Sequence, residues 1–291
     1  MALRIEFTAN VNKAGYEWRE GPPRDGTPKS WKSDFYLYAR EPLETEERRP
    51  FADDPALFRN MAAMQCTKDR IAGFVGEHGN LHAQIQPVSL SDWDEFLWSL
   101  RSLVTIWDCV HERDTTGLAN YFTVTPDGRV QNPDTYDGHP VRAEYAWSNW
   151  KLDRNVVDGE LITVAHDYVL RAINSVLMLQ PLSLEESHAA YGFYMYPPHL
   201  SEAVWYQFAL AIIEGAEYHR CFSCDKVFER GPNANRKSRL YCSDSCRVKA
   251  HRVRVNQARE MRKNGKSLRQ IAAEFQTDMQ TVKRWVNDKG K

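Results

Sequence analysis

Long apolar runs are missing from this 291-residue chain. The longest, Ala203 to Ile213, is interrupted by Gln207 and falls short of the roughly 20 apolar residues that a bilayer-spanning helix needs. The first residues, Met1-Ala-Leu-Arg-Ile-Glu-Phe, lack the apolar core of a signal peptide, so the cytoplasm is the expected compartment and no membrane partner is expected. Cysteine is sparse, six residues in all, and with no sign of export Cys66 and Cys109 are expected as free buried thiols. The chain has no P-loop, no G-x-G-x-x-G, no His-Glu-x-x-His and no G-x-S-x-G, which removes the common signatures of nucleotide binding, zinc proteolysis and serine hydrolysis. No internal repeat or low-complexity tract is present.

What cysteine there is, is concentrated. Cys221, Cys224, Cys242 and Cys246 lie within 26 residues as C-x2-C-x17-C-x3-C. A zinc ion takes four thiolates at tetrahedral corners, and a two-residue spacer lets a tight turn aim both sulfurs at one ion. The second pair suits the first turn of a helix, with Cys242 just before it, Cys246 inside it and Ser243 as its cap. One structural zinc is the expected cofactor, with two disulfides as the alternative. Four protein ligands leave no open position, so such a zinc holds structure and does not catalyse. Phe228 and Tyr241 are the expected small core of this finger.

Net charge is −1, but it is split. Residues 220–291 carry 19 Lys+Arg against 7 Asp+Glu, whereas residues 1–219 carry 19 against 32. A basic end on an acidic body is the footprint of nucleic-acid binding. Packing of the two ends against each other is the other explanation, and the two are compatible. Arg230, Arg236, Lys237 and Arg239 fall in the long loop between the cysteine pairs, and Arg247, Lys249, Arg252 and Arg254 follow the last cysteine. All but Arg230 are read as candidate phosphate contacts.

Phe228, Asn235-Arg236-Lys237-Ser238-Arg239, Cys242-Ser243 and Cys246-Arg247-Val248-Lys249-Ala250 together resemble the CGNR-type treble-clef zinc finger of bacterial regulators. Arg247-Val248 stands where the name-giving motif has Gly-Asn-Arg, so the segment is read as a relative of that family. The resemblance covers about 35 residues and implies a finger, placed C-terminal to another domain, that binds DNA.

The remaining C-terminal pattern is helical. The helix begun at Cys246 is expected to reach about Lys263 and to end at Asn264-Gly265. Ser267 with Gln270 is a capping box opening a second helix through Phe275, and Thr277 or Asp278 caps a third through about Val286. Ile271, Ala272, Phe275, Met279, Val282 and Trp285 form the shared apolar face. Short helices joined by a tight turn make a helix-turn-helix. Leu268 to Val286 resembles that of resolvases and related regulators through Ile271-Ala272, Phe275, Val282 and Arg284-Trp285, with Gln276 where many of them have glycine. Gln280, Thr281, Lys283 and Arg284 are the candidate base-edge and phosphate contacts. A three-helix packing unit without DNA contact is the alternative.

The first three quarters of the chain read as α+β, mostly helical. Leu3 to Ala9 is expected as a strand, residues 19–33 and 41–54 as loops, and Pro55 to His78 as a helix stopped by Gly79-Asn80. Ser91 is expected to cap a helix from Asp92 to Val110 with Trp93, Phe96, Leu97, Leu100, Leu103, Val104 and Trp107 on its buried stripe. Tyr121 to Gln131 reads as a hairpin turning at Asp127-Gly128. Ile162 to Met178 is an apolar helix, residues 181–198 a loop or short helix, and Leu200 to Glu217 a helix leading into Cys221. His166 is expected as a core histidine, and the many tryptophans as core or, alternatively, the lining of a ligand cavity.

These readings give three segments: an acidic α+β domain over 1–218, a four-cysteine zinc finger over 219–256 and a helix-turn-helix over 257–291. The expected partner is duplex DNA and the expected role transcription control, with a small-molecule or protein ligand for the first domain and homodimerisation left open. A DNA-processing enzyme of nuclease or recombinase type, with its site in the first domain, and an RNA-binding protein are the competing readings.

Overall fold

A computed structural model of the chain describes residues 3–21, 34–82, 87–124, 126, 130–131, 135–136, 139–140, 160–177, 182–187, 190–230 and 239–287. The chain divides into two compact units, Met1–Gly215 and Ala216–Lys291. Both helices and strands are present, helices dominate, and no described helix is long and apolar enough to cross a membrane.

The first unit opens with strands β1 (Leu3–Ile5), β2 (Ala9–Asn12), β3 (Tyr16–Gly21), β4 (Asp34–Ala39) and β5 (Thr45–Arg48). Helices α1 (Pro50–Asp53), α2 (Leu57–Ala62) and α3 (Lys68–His78) follow, then β6 (Val88–Ser89), α4 (Leu90–Glu112) and α5 (Thr115–Leu118). Next come β7 (Thr123–Val124), β8 (Val130–Gln131), β9 (Thr135–Tyr136), β10 (His139–Pro140), α6 (Leu161–Leu177), β11 (Leu182–Ser187), β12 (Ala190–Met195) and α7 (Leu200–Glu214). The sheets are small: β3-β4-β6 antiparallel, β2 with β5, β7 with β8, β9 with β10, and β1-β12-β11. The predicted hairpin is present as β7 paired antiparallel with β8, its Asp127-Gly128 turn lying outside the described residues.

The core sits among α2, α4, α6 and α7. Leu57, Phe58 and Met61 from α2 meet Phe208 from α7, with Phe58 and Phe208 stacked at 5.0 Å between ring centres. Trp93, Leu97, Leu100, Leu103 and Val104 of the predicted α4 stripe are buried; Phe96 and Trp107 are half-buried. Trp93 and Trp205 belong to this core, while Trp147 and Trp150 lie outside the described residues.

Several expectations are corrected. The strand expected over 3–9 is two strands with a break at residues 6–8. Residues 19–21 continue β3, paired through Gly21 with Asp34. The segment 41–54 holds β5, held as a strand by β2 despite its charge, and the short α1. The helix expected over 55–78 is broken at 63–67. There the Arg101 guanidinium of α4 donates to the carbonyls of Ala62 (2.8 Å) and Met64 (2.7 Å), giving the end of α2 a partner outside its own helix. The cap of α4 is Ser89, not Ser91: Ser89 Oγ accepts from Asp92 N and Asp92 returns a bond to Ser89 N. Ser91 instead donates its hydroxyl to Asp34, a buried carboxylate on β4.

Residues 182–195 form the hairpin β11–β12, because β1 from the far end of the chain supplies a parallel edge for β12. Helix α7 ends at Glu214, where Gly215 takes φ 60°, and a strand precedes Cys221. His166 is not in the core: its side chain is 42% exposed, with Nδ1 3.6 Å from Asp167. Cys66 is half-buried rather than buried, and both it and Cys109 are free thiols. Burial, reinforced by Asp94, pushes the Cys66 thiol up to about 12.

Gln207, read from the sequence only as a break in an apolar run, is a buried bridge. Its Oε1 accepts from Phe58 N at 2.9 Å and its Nε2 donates to Asp54 O at 3.0 Å. Phe58 N lies in the first turn of α2, where a helix has no internal partner for its N–H groups, and Asp54 O belongs to the turn just before it. Replacing Gln207 with leucine would remove both bonds from the core, although Asp54 O keeps its bond from Leu57 N at 3.1 Å. We expect Gln207→Leu to destabilise the first unit by about 1–3 kcal/mol, read from urea unfolding followed by tryptophan fluorescence.

Candidate metal centre and nucleic-acid interface

The second unit begins with β13 (Glu217–Arg220) and β14 (Val227–Arg230), an antiparallel hairpin in register Glu217↔Arg230 to Arg220↔Val227. The turn between them carries Cys221 and Cys224. Cys221 N donates to Lys226 O at 2.9 Å and Asp225 N to Cys221 O at 3.0 Å, which closes the turn. Asp225 takes the left-handed φ of 60°, a conformation its short polar side chain tolerates better than most. The second pair stands at the start of α8 (Asp244–Lys263), capped as expected by Ser243, whose Oγ accepts from Cys246 N at 3.1 Å.

All four sulfurs lie within 4.8 Å of one another. Cys224 and Cys246 are each 3.5 Å from Cys242. A tetrahedron with metal–sulfur bonds of about 2.3 Å has edges of about 3.8 Å, so the cluster has the dimensions of a four-thiolate site. A disulfide needs sulfurs at about 2.05 Å, and all four cysteines are free. The cluster can therefore hold one metal ion, and it is the one such group of His, Cys, Asp and Glu among the described residues.

Ionisation of the four thiols is interdependent. Burial pushes Cys221 up, but backbone N–H groups of Cys242, Ser223 and Cys224 outweigh it and bring this thiol down to about 6. Ser223 N, 3.5 Å from the sulfur, is one of these donors. Burial, followed by its three sulfur neighbours, pushes Cys242 up to about 12, and burial likewise raises Cys224. Like charges cannot be crowded together without a cation among them, so a metal ion entering the cluster displaces protons.

Arg239 has a role that nothing in the sequence distinguished from that of its basic neighbours. Its Nε donates to Tyr241 O at 2.6 Å, its Nη2 donates to Cys242 O, and its guanidinium lies over the Phe228 ring. It thus braces the turn that presents Cys242. Phe228 is buried and Tyr241 half-buried. Arg236 and Lys237 lie outside the described residues.

Helix α8 runs unbroken for 20 residues from the cysteine cluster into a three-helix core with α9 (Leu268–Glu274) and α10 (Met279–Asn287). Ala258, Ile271, Ala272 and Val282 form the buried centre, with Met261, Leu268, Phe275, Trp285 and Val286 packed against it. The Ser267–Gln270 capping box is present, and Asp278 accepts from Thr281 N at 2.8 Å at the start of α10. Gln276 takes φ 49°, the left-handed conformation in which glycine is found elsewhere at such turns. Arg259 Nε donates to Trp285 O at 2.9 Å, tying α8 to α10; this link had no sequence signal.

The candidate contact residues are distributed over two helices. On α8, Lys249, Arg252 and Arg254 are exposed, and Arg247 is exposed while pairing with Asp244 at 3.1 Å. On α10, Gln280, Lys283, Arg284 and Asn287 are exposed at i, i+3, i+4 and i+7, one continuous stripe opposite Val282. Thr281 is half-buried. Its hydroxyl donates to Asp278 at 2.7 Å and accepts from Arg284 at 3.1 Å. The bonds from the Thr281 hydroxyl and backbone N–H hold the Asp278 carboxyl below its ordinary range.

Ser243→Ala removes the cap that points Cys246 inward, at a cost of about 1 kcal/mol to the helix start. Metal affinity, measured by competition with a chromophoric chelator, should fall about fivefold. For the wild type the same assay should show tighter binding at pH 8 than at pH 6, because the thiols must lose protons to ligate.

No family model, no curated protein and no solved structure matches this chain, so the arrangement of these residues is what bears on its function.

Proposed function

We propose that the chain is a zinc-containing DNA-binding protein that serves in transcription control. One observation carries this reading: a four-thiol cluster of metal-binding size heads a basic helix that continues without a break into a compact three-helix core. In this reading Cys221, Cys224, Cys242 and Cys246 hold one zinc ion in a finger of treble-clef type. Bound zinc supplies a structural cross-link and, with its positions filled by protein, no reactive site.

The segment Leu268–Asn287 is read as a helix-turn-helix, with α10 entering the major groove by its N-terminal end. Gln280 there suits bidentate pairing with adenine, and Lys283 and Arg284 suit guanine or phosphate. Thr281, engaged with Asp278, is read as a support for Arg284 as much as a contact. Lys249, Arg252 and Arg254 on α8, with Arg247, face phosphates in this reading, and Arg239 contributes charge while bracing the finger. Residues 220–291, with 19 basic and 7 acidic side chains, support affinity for a polyanion. The acidic first unit is proposed as a sensing or interaction domain.

The metal is tested first. Reduced, full-length protein should contain one zinc per chain by elemental analysis. Cys224→Ser should lose it and open residues 216–291 to protease. Protein without stoichiometric metal would refute the zinc assignment.

DNA binding is tested by titrating random-sequence duplex at several salt concentrations and by selecting preferred sites from a random pool. Affinity should fall steeply with salt. Arg252→Ala should weaken binding to all sequences and flatten the logarithmic salt slope by about 1. Gln280→Ala should instead relax selection at one base pair, worth about 1–3 kcal/mol of discrimination. Salt-insensitive binding, or none, would sink the DNA reading. Selection returning no motif for the wild type would reduce α10 to an anchor.

A further inference from the structure

The metal-binding turn carries a feature that zinc ligation does not use. Phe222, between the first two cysteines, is 78% exposed, and Leu240, just before the second pair, is 46% exposed. The two are tied together: Phe222 N donates to Leu240 O at 3.2 Å. An apolar pair is thus presented to solvent at the tip of the finger. It borders a cleft of about 770 Å³ lined also by His219, Arg220, Arg230 and Arg239.

The tip is stiff. Phe222 stands between two metal-ligating positions, on a turn closed by Cys221 N to Lys226 O and Asp225 N to Cys221 O. On the other side Arg239 clamps the backbone that leads from Leu240 to Cys242. Side chains held out by a rigid frame lose little freedom when they bind.

Two side chains are too small a patch for a protein partner, since a stable interface covers about 800 Å² on each side. A step between stacked base pairs takes a wedge of this size, and phenylalanine and leucine are among the residues that enter such steps. Charge favours the same occupant. Arg220, beside the turn, and Arg230, farther along the hairpin, line the cleft that the tip borders, and among the described residues Arg220 is held by an exposed pair with Asp225 at 3.1 Å, which a phosphate can replace at little cost.

We propose that Phe222, backed by Leu240, is a wedge that enters a base step of bound duplex DNA, with Arg220 and Arg230 on the flanking phosphates. The proposal rests on the DNA-binding reading above and adds a second mode of contact to it, by deformation and not by base-edge hydrogen bonds. Pyrimidine–purine steps, the easiest to unstack, are the expected targets.

The test uses the full-length, zinc-loaded chain and one probe. The probe is a duplex of about 30 base pairs, long enough for a bent site, end-labelled with fluorescein, in which the adenines of its T-A steps are replaced by 2-aminopurine. Anisotropy reports binding, and 2-aminopurine emission reports unstacking. The wild type should bind and raise the emission at least twofold. Phe222→Ala, which removes an exposed side chain, should keep its zinc and bind within about tenfold of the wild type, with the rise in emission lost. Leu240→Ala should reduce the rise, and Phe222→Trp should retain it. Binding with no rise, or a rise unchanged in Phe222→Ala, overturns the wedge and leaves DNA binding standing. No binding by the wild type overturns the DNA reading, and the wedge falls with it.

Discussion

The second unit depends on bringing four sulfurs within 4.8 Å of one another. The hairpin β13–β14 has two strands of four residues each and buries little besides Cys221, Val227 and Phe228. A two-stranded hairpin of that size is marginal in water. The sequence that follows it, Gly231 to Arg239, offers few apolar side chains for packing. Closing the cluster joins the turn to the helix start, and every local device serves that closure: the left-handed Asp225, the Ser243 cap, and Arg239 on the carbonyls of Tyr241 and Cys242. A cation resolves the mutual repulsion that full ionisation of the thiols would otherwise cause.

The first unit is held together differently. Its helices α2, α4, α6 and α7 share a core of Leu, Phe, Trp and Val side chains, and polar bridges cross between them. Gln207 joins α7 to the start of α2, and Arg59 joins α2 to Asp108 of α4 through two bonds of 2.7 and 2.8 Å. The small sheets borrow strands from distant parts of the chain, as when β1 pairs with β12. Such pairings need long loops closed before any contact is made, which makes them invisible to local patterns.

Helix α8 joins the two parts of the basic unit. Its first turn supplies Cys246 to the sulfur cluster and its last turns supply Ala258 and Met261 to the three-helix core. Arg259 and Trp285 then fix α10 against it. A rigid shared helix sets the distance between the finger tip and the exposed stripe of α10. This lets the proposed wedge and the proposed groove contacts act on one duplex in a set register.

The cysteine spacing, the Ser243 cap, the extent of α8, the Ser267–Gln270 box and, apart from Met279, which is 55% exposed rather than on the shared face, the apolar face of the three C-terminal helices were legible in the sequence. Each is local, with ligands, caps and helix faces recurring within a few turns, so that spacing alone carries them. The charge split was equally plain, since it needs only counting. Tertiary structure decided the rest. Only a partner strand from residues 3–5 could turn 190–195 into β12, only the reach of Arg101 could end α2 at Ala62, and only the Asp34 carboxylate could draw Ser91 away from capping α4. Arg239 as a brace and Phe222 as an exposed tip were undecidable in the same way. A side chain's neighbours across a fold are set by chain segments whose approach no local period encodes.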